Sequence, residues 1–76
     1  MTNIQISLIE NLTSELVMMV HERFGLSLIS AMRVVYGSDT FRALSDTETL
    51  LYQSSAQELF CILDDERKYG QMVSRP

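Results

Sequence analysis

Up to its last residue the chain contains no proline, and its three glycines, Gly25, Gly37 and Gly70, each follow a run whose apolar residues recur at helical spacing. Such punctuation divides a chain into helices. Glycine supplies the left-handed C-terminal cap that ends a helix, and the absence of proline leaves the helix interiors unbroken. Nowhere does the sequence alternate strictly between apolar and polar residues around turn signals, and the β-branched pair Val34-Val35 falls within a helical stripe. The pattern predicts an all-α domain. Its expected form is a small orthogonal bundle of three main helices, about residues 4–24, 27–36 and 55–69, with one or two short helical turns between 38 and 53.

Placed at 100° per residue, the first run gathers Ile6, Leu8, Ile9, Leu12, Leu16, Val17, Met19, Val20 and Phe24 within half the helix circumference. That arc is wider than one partner helix needs, so this helix is expected to meet two elements or a second subunit. Met18 falls on the polar side beside Asn11, and His21 and Glu10 lie opposite the apolar arc. Ser27 is placed to cap the second helix, whose apolar face is Leu28, Ala31, Met32, Val35 and Tyr36 with Ile29 at its edge; Ser30 and Arg33 point away.

Between Gly37 and Ser55 the hydroxyls and carboxylates read as helix starts. Ser38 can cap a turn holding Phe41 and Leu44, and Ser45-Asp46-Thr47-Glu48 matches a capping box. Ser54 with Gln57 and Ser55 with Glu58 form two overlapping boxes ahead of the last helix, which presents Ala56, Leu59, Phe60 and Leu63 on one face. Asp64 and Lys68 are spaced as a favourable i,i+4 ion pair. Residues 71–76 are expected to form a frayed tail on a single domain spanning 1–76.

A chain of 76 residues buries only about 60% of the surface it exposes when unfolded, so its stability margin is thin and self-association would add to it. The net charge of −4 divides into −2 over residues 1–26, +1 over 27–45, −4 over 46–70 and +1 in the tail. Only six Lys and Arg are present, with no cluster beyond Arg67-Lys68, which disfavours nucleic acid as a partner. The segment HERFGLSLISAMRVV does have the outline of a helix-turn-helix. A small DNA-binding regulator is therefore the alternative, although Ser30 and Arg33 are the only side chains of the second helix suited to reading bases. The longest unbroken apolar run is Leu16 to Val20, and no basic residue precedes an apolar stretch at the amino terminus, so neither a signal peptide nor a membrane span is expected and the location expected is cytoplasmic.

Catalytic chemistry is sparse. His21, the sole histidine, is expected to be solvated, and no nucleophile motif accompanies it. Asp46 and Glu48 sit where carboxylates cap a helix start, and Asp64-Asp65-Glu66 lacks the glycine and spacing of a calcium loop, so it is read as a solvated face. Cys61, the lone cysteine, is expected to be a buried inert thiol. No enzyme activity, metal or cofactor is expected. Met18, Met19 and Met32 are read as core filling, with an adaptable partner groove as the other reading.

One stretch carries a family likeness: Val35-Tyr36-Gly37-Ser38, then Thr40-Phe41 through Leu44 to Asp46, then Glu48-Thr49 with Leu51-Tyr52, then Ser54-Ser55, and finally Leu59 to Leu63. Over residues 34–66 this resembles a family of short bacterial proteins of unknown function. Position 50 departs from the pattern, where a Gly or Lys would stand before the Leu-Tyr pair. Members are often encoded beside toxin-like or ADP-ribosyltransferase-like proteins, so the resemblance implies an antitoxin or accessory partner acting by protein contact, as a homodimer or with a neighbouring gene product. The expected interaction surface comprises Leu8, Leu12, Leu16, Met18 and Met19 on the first helix, with Arg42, Tyr52 and Gln53 in the connector.

Overall fold

The computed structural model describes residues 2–69, which form four α-helices and two short 3-10 turns with no strand among them. Helix α1 spans Asn3–Phe24, α2 Leu28–Tyr36, α3 Asp39–Ser45 and α4 Ala56–Tyr69; the 3-10 turns cover Thr47–Thr49 and Leu51–Gln53. The all-α expectation holds. The connector is richer than expected, since the turn expected after Ser38 is a two-turn α-helix followed by both 3-10 turns.

Each start has a local cause. Thr2 Oγ1 accepts from the Gln5 amide at 3.1 Å while Gln5 Oε1 accepts from the Thr2 amide at 2.9 Å, a reciprocal capping box that opens α1. Gly25 closes it at φ 65, in the left-handed region a glycine adopts without steric penalty. Ser27 then accepts from the Ser30 amide to open α2. Gly37 differs from the expected left-handed cap: its φ is −89, and a Cβ there would lie 3.0 Å from the Arg33 carbonyl oxygen. Close backbone approach, not handedness, makes glycine suit that position. Gly70 and the tail at 71–76 lie outside the described residues.

Two capping expectations are corrected. Ser45 is the last residue of α3 and caps nothing; the Asp46 carboxylate takes that role, accepting from the Glu48 amide at 3.0 Å. Before α4, Ser55 Oγ accepts from the Glu58 amide, whereas Ser54 closes the second 3-10 turn. In both places two candidate caps overlapped in sequence, and the position of the preceding turn decided between them.

The core is shared by all four helices. Leu16 and Val20 of α1, Ala31 and Val35 of α2, Leu44 of α3, and Leu59 and Leu63 of α4 are fully buried. Thr13 is buried too, its hydroxyl satisfied by donation to the Ile9 carbonyl. The wide apolar arc of α1 is explained by this arrangement, because α1 packs against α2 on one side and against α4 and the second 3-10 turn on the other. Phe41, Leu44 and Leu51 anchor the connector to that core.

Candidate interaction surface

The expected surface residues divide in the structure. Leu16 is fully buried within the chain and leaves the surface set, and Leu12 and Met19 are half-buried against the core. Leu8 and Met18 are exposed. Arg42 is exposed and pairs with Asp39 one turn earlier at 3.3 Å, a contact of small energetic weight in solvent. Tyr52 is half-buried, its hydroxyl accepting from Gln5 Nε2 at 3.3 Å, which ties the connector to the start of α1; Gln53 is exposed beside it.

The larger apolar surface lies on α2, which contributes no residue to the expected interaction set and of which only Met32 had a partner groove as its second reading. Leu28, Ile29, Met32 and Tyr36 are 47%, 66%, 41% and 51% exposed, although the sequence pattern assigns Leu28, Met32 and Tyr36 to the core face. Only Ala31 and Val35, small and β-branched, face inward fully. The missed signal was compositional: seven of the nine residues of LISAMRVVY are apolar, more than one packed face can use. Between this ridge and α1 runs an open groove of about 230 Å³ lined by Ser14, Val17, Met18, Leu28, Met32 and Tyr36. Single exposed apolar residues are ordinary on a protein surface, but a contiguous set of five is the kind of patch that marks an interaction site.

Three polar expectations change. His21 is half-buried, not solvated: the turn at Gly25 brings the Leu26 carbonyl back over the ring, and since a carbonyl only accepts, Nδ1 carries the proton in that bond. Cys61 is exposed, not buried, because the buried face of α4 follows Ala56, Leu59, Phe60 and Leu63, and a residue five positions after Ala56 falls off that face. It opens into a shallow hollow with Leu51, Ser54, Gln57, Glu58 and Ile62.

Glu66, read as part of a solvated acidic face, has a structural task. Its carboxylate accepts from the amides of Asp39 at 3.0 Å and Thr40 at 2.9 Å, and from the Thr40 hydroxyl at 2.8 Å, so a side chain of α4 caps the start of α3. Partial burial pushes its pKa up, but these hydrogen bonds and the nearby Arg42 outweigh that and leave it below its ordinary value. Asp64 and Lys68 form the expected ion pair at 3.2 Å.

On the far side of α1 the Phe24 and Phe60 rings stack at 5.4 Å between centroids, with the Arg67 guanidinium 4.3 Å from the Phe24 centroid and that of Arg23 5.4 Å from the Phe60 centroid. These four side chains lock the end of α1 to α4. No group of three His, Cys, Asp or Glu residues able to hold a metal ion comes together among the described residues, and none of their helices is long and apolar enough to cross a membrane.

Compared with known proteins, the chain matches no family model, no curated protein and no solved structure.

Proposed function

We propose that this is a non-enzymatic protein that works by helix-mediated protein contact, as an antitoxin-like or accessory partner of a neighbouring gene product, in the cytoplasm of a bacterium. The observation that carries the proposal is the exposed apolar surface of the α1–α2 pair, centred on Met18 and Met32. Methionine side chains are unbranched and polarizable, and suit a groove that must adapt to a partner. An orthogonal arrangement of the three main helices, α1, α2 and α4, belongs to the same proposal. Leu8, Arg42, Tyr52 and Gln53 form a secondary part of the proposed surface.

The DNA-binding alternative draws less support. A recognition helix reads base edges with polar and basic side chains, and the outward face of α2 is Leu28, Ile29, Met32 and Tyr36, with Arg33 its sole cation.

Co-expression with the product of the adjacent gene tests the proposal. The two should copurify, and growth should be rescued if that product is toxic. A double substitution Met18→Glu with Met32→Glu, at two exposed positions, should abolish both effects while leaving helical circular dichroism intact. Failure of the wild-type pair to copurify would overturn the proposal.

A further inference from the structure

The α1–α2 surface is a ridge beside a groove, and that shape suggests what occupies it. The ridge is the i, i+4, i+8 row Leu28, Met32 and Tyr36 of α2, and the groove runs beside it with Val17 and Ser14 in its lining and Met18 on its α1 side. Because helices pack ridge into groove, a surface that carries one of each side by side is complementary to itself. Resting on the protein-contact reading above, we infer that the occupant is a second copy of this chain, docked about a two-fold axis running alongside α2 between ridge and groove.

The same axis orders the charges. Beyond the ridge stands Arg33, next to Met32 and one turn from Ile29. Beyond the groove stand Glu15 and Glu22, one turn either side of Met18 on the exposed edge of α1. All three are exposed and none forms an ion pair among the described residues. A two-fold rotation about this axis sets the ridge of each copy into the groove of the other, and carries Arg33 of one copy over the acidic α1 edge of the other. It also brings Ile29, the most exposed large apolar residue of α2, over Met18 of the second copy. A single foreign helix lying in the groove would leave Ile29 and Arg33 uncovered; the second copy covers both.

The area is adequate. A stable dimer buries about 800 Å² on each partner, against a chain surface of 5011 Å². Five large apolar side chains, each 41–66% exposed, supply an apolar centre of a few hundred Å² within such a footprint, and the charged edges supply its rim.

Light scattering on the purified chain alone, without any partner protein, tests this. The wild type should have the mass of two 8.7-kDa copies at micromolar concentration. Met32→Glu should halve that mass with unchanged helical circular dichroism. Arg33→Glu should weaken association at least tenfold, and adding Glu15→Arg and Glu22→Arg to it should restore most of the loss, an outcome that a merely structural role for Arg33 would not give. A wild-type monomer at high micromolar concentration overturns the inference, as does a dimer that Met32→Glu leaves intact. If the wild type is a monomer but still copurifies with the neighbouring gene product, the second copy is excluded and the protein-contact proposal stands. If it dimerises as described yet captures no neighbour, the inference stands and the partner proposal falls.

Discussion

Leu50 joins the two 3-10 turns with φ 60 and ψ 14, and its carbonyl accepts from the Gln53 amide at 3.0 Å. A left-handed backbone brings the Cβ of an L-residue against its own carbonyl, at about 1–2 kcal/mol, and an exposed leucine has little packing to set against that. Leu50→Gly relieves the clash but loosens the unfolded chain, so the expected net gain is about 0.5–1 kcal/mol. It should appear as a higher denaturant midpoint at unchanged slope; a lower midpoint would show that the side chain packs. In the sequence the sole hint of this conformation was the family resemblance, in which glycine is one of the residues expected at position 50. Spacing alone reads Leu50 as one more apolar anchor. Glu66 was illegible for another reason: its partners Asp39 and Thr40 stand more than twenty-five residues away, and local pattern cannot show a cap supplied from a different helix. Glu66→Ala should remove about 1 kcal/mol, below the range of about 1.5–3 kcal/mol for hydrogen bonds to charged groups because solvent screens this half-buried side chain. The folded-state pKa is lowered, so this contribution is complete above the ordinary carboxyl value of 4.5 and is lost as pH falls through the lower folded value. Denaturation curves of wild type and Glu66→Ala should therefore converge at acid pH, and a gap that stays constant down to pH 3 would refute the ionised cap.

Elements this short depend on their ends. An isolated helix of fewer than about 12–15 residues is marginal in water, and α2 and α3 have nine and seven. They persist because their orphan amides are satisfied and their inner faces packed: Ser27 caps α2, while α3 receives Ser38 at the Phe41 amide and Glu66 at the two preceding amides. The positions of the long helices were legible because α1 and α4 hold an apolar period over several turns. The starts inside the connector were legible only as a set. Overlapping serines offered more caps than there are helices, and the choice among them falls to tertiary placement. Ser55→Ala should accordingly cost about 1 kcal/mol, whereas Ser54→Ala and Ser45→Ala should each change the thermal midpoint by less than the value for Ser55. Equal losses at Ser54 and Ser55 would mean that α4 starts from either residue. The assignment of faces was less legible than the helices themselves. On α1 the buried arc followed the pattern from Ile9 to Val20, but on α2 nearly every residue is apolar, and periodicity cannot say which of two apolar faces turns inward.

As a whole the molecule is thin, with principal extents of 34 × 28 × 18 Å, and its short dimension holds about two helix diameters of roughly 10 Å. In two layers no side chain lies far from solvent, and the fully buried set is small: Leu16, Val20, Ala31, Val35, Leu44, Thr40, Leu59 and Leu63. A 76-residue domain has a total stability of roughly 4–11 kcal/mol, so one core truncation of about 3–5 kcal/mol can exhaust it. Leu16→Ala should therefore leave little folded chain at 37 °C, while Leu8→Ala, at an exposed position on the same helix, should be close to neutral; circular dichroism melts would reverse the placement of these two leucines if the losses were reversed. The thinness also bears on the outer α2 surface. Association adds free energy only to the folded state, so a chain with so small a core would gain from the inferred dimer disproportionately, and by mass action that dimer would make its melting temperature rise with concentration. For the wild type, a hundredfold increase in concentration should raise the midpoint by several degrees, taking a shift of about 4–8 °C per kcal/mol for a domain of this size. Met32→Glu should melt at a single temperature across the same range, close to the wild-type value at the lowest concentration, because its side chain is exposed in the single chain and contributes little to the core. A concentration-independent wild type would mean that the two-layer core alone holds the fold, and the ridge of α2 would then be reserved for a different protein.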